Sequence, residues 1–113
     1  MGCCWGWQIT AMGEVTLSRA VSTKLTEVQQ YYQERSPEAA ERAVAALLQS
    51  YGKLRDNPYI GRPWRGSLTR RELVTAFGSS GFVSLYEIEP KTNSVVVLYL
   101  RHQREEKYKV IET

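Results

Sequence analysis

Three basic side chains, the sole histidine and a phenol crowd one octet near the C-terminus, Arg101-His102-Gln103-Arg104-Glu105-Glu106-Lys107-Tyr108. Cations of this kind hold phosphate oxygens or a carboxylate. An imidazole with an unperturbed pKa near ~6.5 gives or takes a proton at cellular pH. Tyr108, about two turns on if the tail is helical, can stack on a base or assist that transfer. Such a set suits cleavage of RNA through attack by its own 2′-hydroxyl. That reaction needs a base, an acid and cations around the charged phosphorane, and no protein nucleophile. The plain alternative is a strand followed by a solvated charged helix. For His102, three readings stay open: surface residue, proton-transfer or phosphate-contact group, and hydrogen-bonded structural residue.

A second constellation lies earlier. Lys53, Arg55, Arg62, Arg65, Arg70 and Arg71 face a single acid, Asp56, between positions 53 and 71, with Tyr59 and Trp64 interleaved. Cations alternating with aromatic rings resemble a surface for phosphates and bases. The alternative is a solvated loop pinned by one buried tryptophan. Beside it, Arg71-Glu72 reads more readily as a structural ion pair at a sheet edge than as an acid–base couple. Tyr31 and Tyr32 read as core packing.

The elements that must position these groups follow from periodicity. Val15-Thr16-Leu17-Ser18 reads as a short strand. Ala20, Val21, Leu25, Val28, Tyr31 and Tyr32 carry helical spacing. Ser36-Pro37-Glu38 supplies an N-cap, a first-turn proline and an acid for a second helix. Its apolar stripe is Ala39, Ala40, Ala43, Val44, Leu47, Leu48, Tyr51 and Leu54. Asn57-Pro58 ends that helix, because proline disfavours helix at the residue before it. Strands are expected over 72–77, 82–88 and 94–100, the first two joined by a turn at Gly78-Ser79-Ser80-Gly81 and the last two by Pro90-Lys91-Thr92-Asn93. A short helix over 103–111 completes the order β-α-α-β-β-β-(α). Consecutive hairpins imply an α+β domain, an antiparallel sheet with a helical hairpin on one face.

Composition bounds the rest. The chain has 113 residues, 42% hydrophobic and 24% charged, which is one ordinary globular domain. A net charge of +3 permits a nucleic-acid or acidic protein partner without demanding one. No apolar run approaches the roughly 20 residues of a membrane span. The adjacent pair Cys3 and Cys4 closes no useful disulfide loop and has no second Cys/His pair for zinc. A reduced, cytoplasmic protein without a metal or cofactor is the expectation. Residues 1–12 read as an N-terminal extension, with Met12 a candidate native start and disorder one expectation, and residues 13–113 as the domain.

With this element order go particular residues: Tyr31-Tyr32, Ser36-Pro37-Glu38-Ala39-Ala40, Leu54, Asn57-Pro58, Gly61-Arg62-Pro63, Arg71-Glu72-Leu73-Val74, Gly81 through Ile88, Val96-Val97-Leu98 and Arg101 through Glu105 with Tyr108. In order and spacing the chain resembles the RelE/ParE superfamily of type II toxin–antitoxin toxins, which includes plasmid stabilisation proteins. The likeness runs over roughly residues 13–110 and implies a toxin held silent by a cognate antitoxin. RelE-like members cut messenger RNA in the ribosomal decoding site. They use basic residues on the central strands, a basic or histidine group at the end of the last strand, and a following tyrosine. By that likeness His102, Arg104 and Tyr108 are the catalytic candidates, with Arg101 adding charge. The chain departs from that branch where Gly81-Phe82 is followed by Val83 in place of an arginine. Its preceding strand also offers only Arg70 and Arg71, at its start. ParE-like members share the fold, lack the nuclease set and poison DNA gyrase. The expectation is therefore a toxin with DNA gyrase as leading target. A ribosome-dependent endoribonuclease is the alternative, and a degenerate non-toxic binding module the third reading. A flexible, acidic antitoxin segment that folds on binding is the expected partner. Arg62, Arg65, Arg70, Arg71 and Arg101 are the expected contacts to target or antitoxin.

Overall fold

A computed structural model describes residues 14–78 and 80–104. Strand β1 spans Val15–Leu17, helix α1 Arg19–Gln33, helix α2 Pro37–Asp56, then a 3-10 turn Pro58–Ile60. Strands β2 (Arg62–Pro63), β3 (Arg70–Phe77), β4 (Ser80–Glu89) and β5 (Ser94–His102) follow. They form one sheet in the order β1-β5-β4-β3-β2. The α+β architecture is the one the sequence implies, with three differences. The two-residue strand β2 was not expected; it pairs Arg62 with Glu72 and Pro63 with Arg71. β3 begins at Arg70, so Arg70 and Arg71 lie within the strand. And the sheet is not wholly antiparallel: β1 runs parallel to β5, with Val15 opposite Val95. The expected N-terminal extension, most of the expected tail helix and Tyr108 lie outside the described residues.

Ser36 caps α2 as expected, and Ser18, read as the last residue of the first strand, caps α1. Ser18 accepts from the Val21 amide at 3.2 Å and Ser36 from the Ala39 amide at 3.3 Å. α2 buries Ala40, Ala43, Leu47, Tyr51 and Leu54 against the sheet. The core joins them to Val21 and Val28 of α1, Phe82, Tyr86 and Ile88 of β4, and Val95, Val97 and Leu100 of β5. Phe82, Ser84, Tyr86 and Ile88 on one face of β4 and Val83 and Leu85 on the other are all buried.

One irregularity fixes where α1 lies. Leu85 pairs with Tyr99 but Tyr86 with Val97, which leaves Leu98 as an extra residue in β5. Its carbonyl accepts the Ser18 hydroxyl at 2.6 Å, while the Ser18 amide donates to the Val97 carbonyl at 3.0 Å. The α1 N-cap is thereby fastened to the middle of β5. The other end of α1 falls beside the C-terminal end of β5.

Candidate functional site

At that junction lies a cavity of about 450 Å³ lined by Lys24, Glu27, Val28, Tyr31, Tyr32, Phe82, His102 and Arg104. A smaller one, about 230 Å³, adjoins it through Tyr31, Tyr32, His102 and Arg104 and adds Arg35, Phe77, Gly78 and Ser80. Lys24, Glu27, Val28 and Tyr31 recur at helical spacing, so one stripe of α1 forms a wall about 10 Å long. The other wall is aromatic. Tyr32 meets Phe77 edge to face at 5.3 Å and Phe82 at 6.5 Å, and Phe82 meets the His102 ring at 5.4 Å. Tyr31 is 48% exposed, not core as its spacing suggested, because it forms the outer lip of this groove. The Arg35 guanidinium covers its ring at 3.9 Å. Burial, with Tyr31 adding to it, pushes the Tyr32 phenol up. It is a neutral hydroxyl at cellular pH.

His102 is held from both sides. The Arg104 amide donates to Nδ1 at 3.2 Å, which assigns the ring proton to Nε2 in the neutral imidazole. Nε2 lies 3.4 Å from the Ser80 hydroxyl. Proton transfer at either nitrogen would disturb one of these contacts.

Strand alternation separates His102 from its neighbour. His102 pairs with Phe82, whose side chain is in the helix-covered core. Arg101 pairs with Val83, one residue on, and so belongs to the opposite face of the sheet. Val83, at the position where the sequence departs from the nuclease pattern, is 2% exposed. On that face the cross-strand neighbour of Arg101 is therefore an aliphatic side chain. Tyr108, the third catalytic candidate, is outside the described residues.

The remaining arginines occupy the other end of the sheet. Phe77 pairs with Ser80 beside His102, whereas Arg70 pairs with Glu87. From Arg70 to Phe77 the strand covers about 23 Å. Among the described residues, two of the four cations at this far end have carboxylate partners. Arg62 reaches Glu72 at 3.1 Å, so the expected ion pair of Glu72 forms with Arg62 across the β2–β3 pair. Arg70 Nε reaches Glu87 at 2.8 Å, and the Thr69 hydroxyl donates to the same carboxylate at 2.7 Å. Those hydrogen bonds, that of Thr69 first, hold the Glu87 carboxyl below its usual range. Arg71 donates to the Gly61 carbonyl at 2.6 Å and lies over the Tyr59 ring at 5.0 Å. Arg65 lies over Trp64 at 4.5 Å, with Arg70 at 5.9 Å from the same ring.

A buried phenol roots this end. Tyr86 donates to the Pro58 carbonyl at 2.6 Å and accepts from the Gly61 amide at 2.9 Å. Burial pushes its ionisation up, so the donor proton persists at cellular pH. A Cβ at Gly61 would collide with the Glu72 carbonyl and the Tyr86 ring, so only glycine lets the loop come this close. Neither Tyr86 nor Ser84, buried and bonded to Tyr51 at 2.8 Å, stood out in the sequence as more than strand residues. Among the described residues no His/Cys/Asp/Glu group suits a metal, and no helix is long and apolar enough to cross a membrane.

Comparison with known proteins places this geometry. The family described as the ParE toxin of the type II toxin-antitoxin system, parDE, matches residues 15–107. Toxin RelE3 of Caulobacter vibrioides is 33% identical over 94 residues, 83% of this chain and 98% of that protein. A chromosomal ParDE toxin–antitoxin structure from P. aeruginosa superposes with a TM-score of 0.64 at 21% identity, over 84% of this chain and 98% of the other. The RelBE2 toxin–antitoxin complex from Mycobacterium tuberculosis gives 0.54 at 22% identity, over 81% and 99%. These two likenesses concern the fold.

Proposed function

The chain belongs to the ParE toxin family of type II toxin–antitoxin systems, and from that premise we propose that it arrests growth by inhibiting DNA gyrase without cutting nucleic acid. The carrying observation is the separation of the sheet arginines from the groove that His102 and Arg104 share. His102 opens toward α1 and the aromatic groove, Arg101 lies on the other face of the sheet beside Val83, and Arg70 and Arg71 sit on β3 four to five residues, about 13–17 Å, along the strand from the level of His102. A phosphorane needs its acid, base and cations around one phosphate. The distribution also leaves both His102 nitrogens engaged in local contacts.

A cognate antitoxin silences the toxin. The groove along α1 suits a flexible acidic segment that folds as it binds. Val28, Tyr31, Tyr32 and Phe82 offer an apolar seat, and Arg35 and Arg104 offer cations for carboxylates at its rim.

One observation favours the second reading, a ribosome-dependent endoribonuclease. Arg104, Lys24 and Arg35 do gather with Tyr31 and Tyr32 around His102. Induced expression of His102→Ala decides between the two readings. Growth arrest equal to wild type supports gyrase inhibition. Loss of arrest in a protein that still folds and binds its antitoxin supports the nuclease, whose rate should fall by roughly 10²–10⁴ without its proton-transfer group.

A further inference from the structure

Resting on the toxin reading, we propose that the β2–β3 hairpin end is a separate docking surface for the toxin's target. Its occupant is a folded protein with an acidic, partly apolar surface. The surface is a projecting knob. Leu68 is 76% exposed at its tip, and Tyr59 (43%) and Ile60 (40%) are exposed at its base. Trp64 lies between, half-buried under the Arg65 guanidinium. Tryptophan, tyrosine and arginine around exposed aliphatic groups are the composition of interface anchors.

The knob is stiff. The Ser67 hydroxyl accepts from the Thr69 and Arg70 amides at 3.2 and 3.0 Å, and the Trp64 amide donates to the Arg70 carbonyl at 2.9 Å. The Thr69 carbonyl accepts from the Ile88 amide at 2.8 Å, and Tyr86 clamps the base. Arg65 holds a left-handed conformation at φ 52°, next to Gly66 at 80°. For arginine that is a costly backbone state, kept only where the surroundings over-determine it.

Two features favour protein over nucleic acid. Glu72 and Glu87 stand beside Arg62 and Arg70 and would repel phosphates. The Trp64 ring carries a guanidinium over it instead of offering an open face for a base. Among the described residues Arg65 and Arg71 make no carboxylate ion pair, and they match acidic groups on the partner. A rigid knob also suits a folded target, whereas a flexible antitoxin segment is matched by the groove at the other end.

Leu68→Asp and Arg65→Glu test this in the full chain, with Glu41→Arg on exposed α2 as a control. Losing a central anchor corresponds to about 30-fold in affinity. Both knob variants should therefore need about 30-fold more expression for growth arrest, at wild-type melting temperature, with the antitoxin Kd changed less than about threefold. The control should arrest growth like wild type. Undiminished arrest by both variants overturns the proposal. So does an antitoxin Kd raised tenfold or more, which would make the knob an antitoxin surface. So does binding of an RNA or DNA oligonucleotide that Arg65→Glu abolishes. If the wild-type chain neither arrests growth nor binds an antitoxin, the toxin reading itself fails. If it does both and only the variants behave otherwise than stated, the docking surface alone fails.

Discussion

The two ends of the sheet use the same residue types, aromatic rings and arginines, to opposite effect. At the β5 end Tyr31, Tyr32, Phe77, Phe82 and His102 pack against one another and leave a recess that the cations rim. At the β2–β3 end Trp64 and Tyr59 lie under guanidinium groups and the chain projects outward. What differs is the backbone beneath. Ser18, bonded to the extra residue in β5, sets α1 at a stand-off from the strand end and opens a groove. Tyr86 draws the loop tightly onto β4, and the residues beyond it have nowhere to go but out. Cations near aromatics therefore do not define a site. The hydrogen bond that places the backbone decides whether they make a receptor or a projection.

That contrast can be broken at its common foundation. Leu47 is fully buried in the core that both ends share. Leu47→Ala should cost roughly 2–5 kcal/mol in chemical denaturation and weaken antitoxin binding and growth arrest together. A change under about 0.5 kcal/mol would mean that α2 is packed in another phase. A smaller, one-sided effect is expected from Tyr86→Phe. It leaves the buried Gly61 amide without its acceptor, at about 1–3 kcal/mol, and should loosen the knob. Antitoxin affinity should hold. Equal disturbance of both ends by nuclear magnetic resonance would show them to be mechanically one unit.

Tyr31→Ala is the converse. It removes the groove's lip and should raise the antitoxin Kd by about tenfold, with stability within about 0.5 kcal/mol. An unchanged Kd in titration calorimetry would place the antitoxin elsewhere. The slightest effect is acid loosening of the knob. The folded-state pKa of Glu87 lies below its unfolded value, so its contribution is present above the unfolded pKa and lost as pH falls through the folded one. As pH drops below about 4.3, the Trp64 indole signal should shift before the Phe82 ring signal does. Simultaneous shifts would mean that Glu87 does not hold the knob.

Much of this fold is written in local signals. Ser36 and Pro37 state where α2 begins, and the stripe from Ala40 to Leu54 states which face is buried, whereas Ser18, read as the end of a strand, caps α1. β2 was not legible, because two residues around a proline carry no periodicity and pair only through Glu72 and Arg71. The exposure of Tyr31 was blurred by its neighbour: Tyr32 continues the core stripe of Val21, Leu25 and Val28, whereas Tyr31 is in phase with Lys24 and Glu27 at its margin. For the site, the sequence shows that Arg101 and His102 are adjacent. Strand alternation then implies opposite faces, and that inference was available once the strand was extended to His102. The partners of Tyr86 were not, since Pro58 and Gly61 lie far from it along the chain.

The central claim is that these basic and aromatic groups serve binding and not RNA cleavage. Purified protein should be added to a gyrase supercoiling reaction and, in parallel, to translating ribosomes with full-length messenger RNA read out. The account predicts blocked supercoiling and intact RNA. Cut messenger RNA with untouched supercoiling would contradict it.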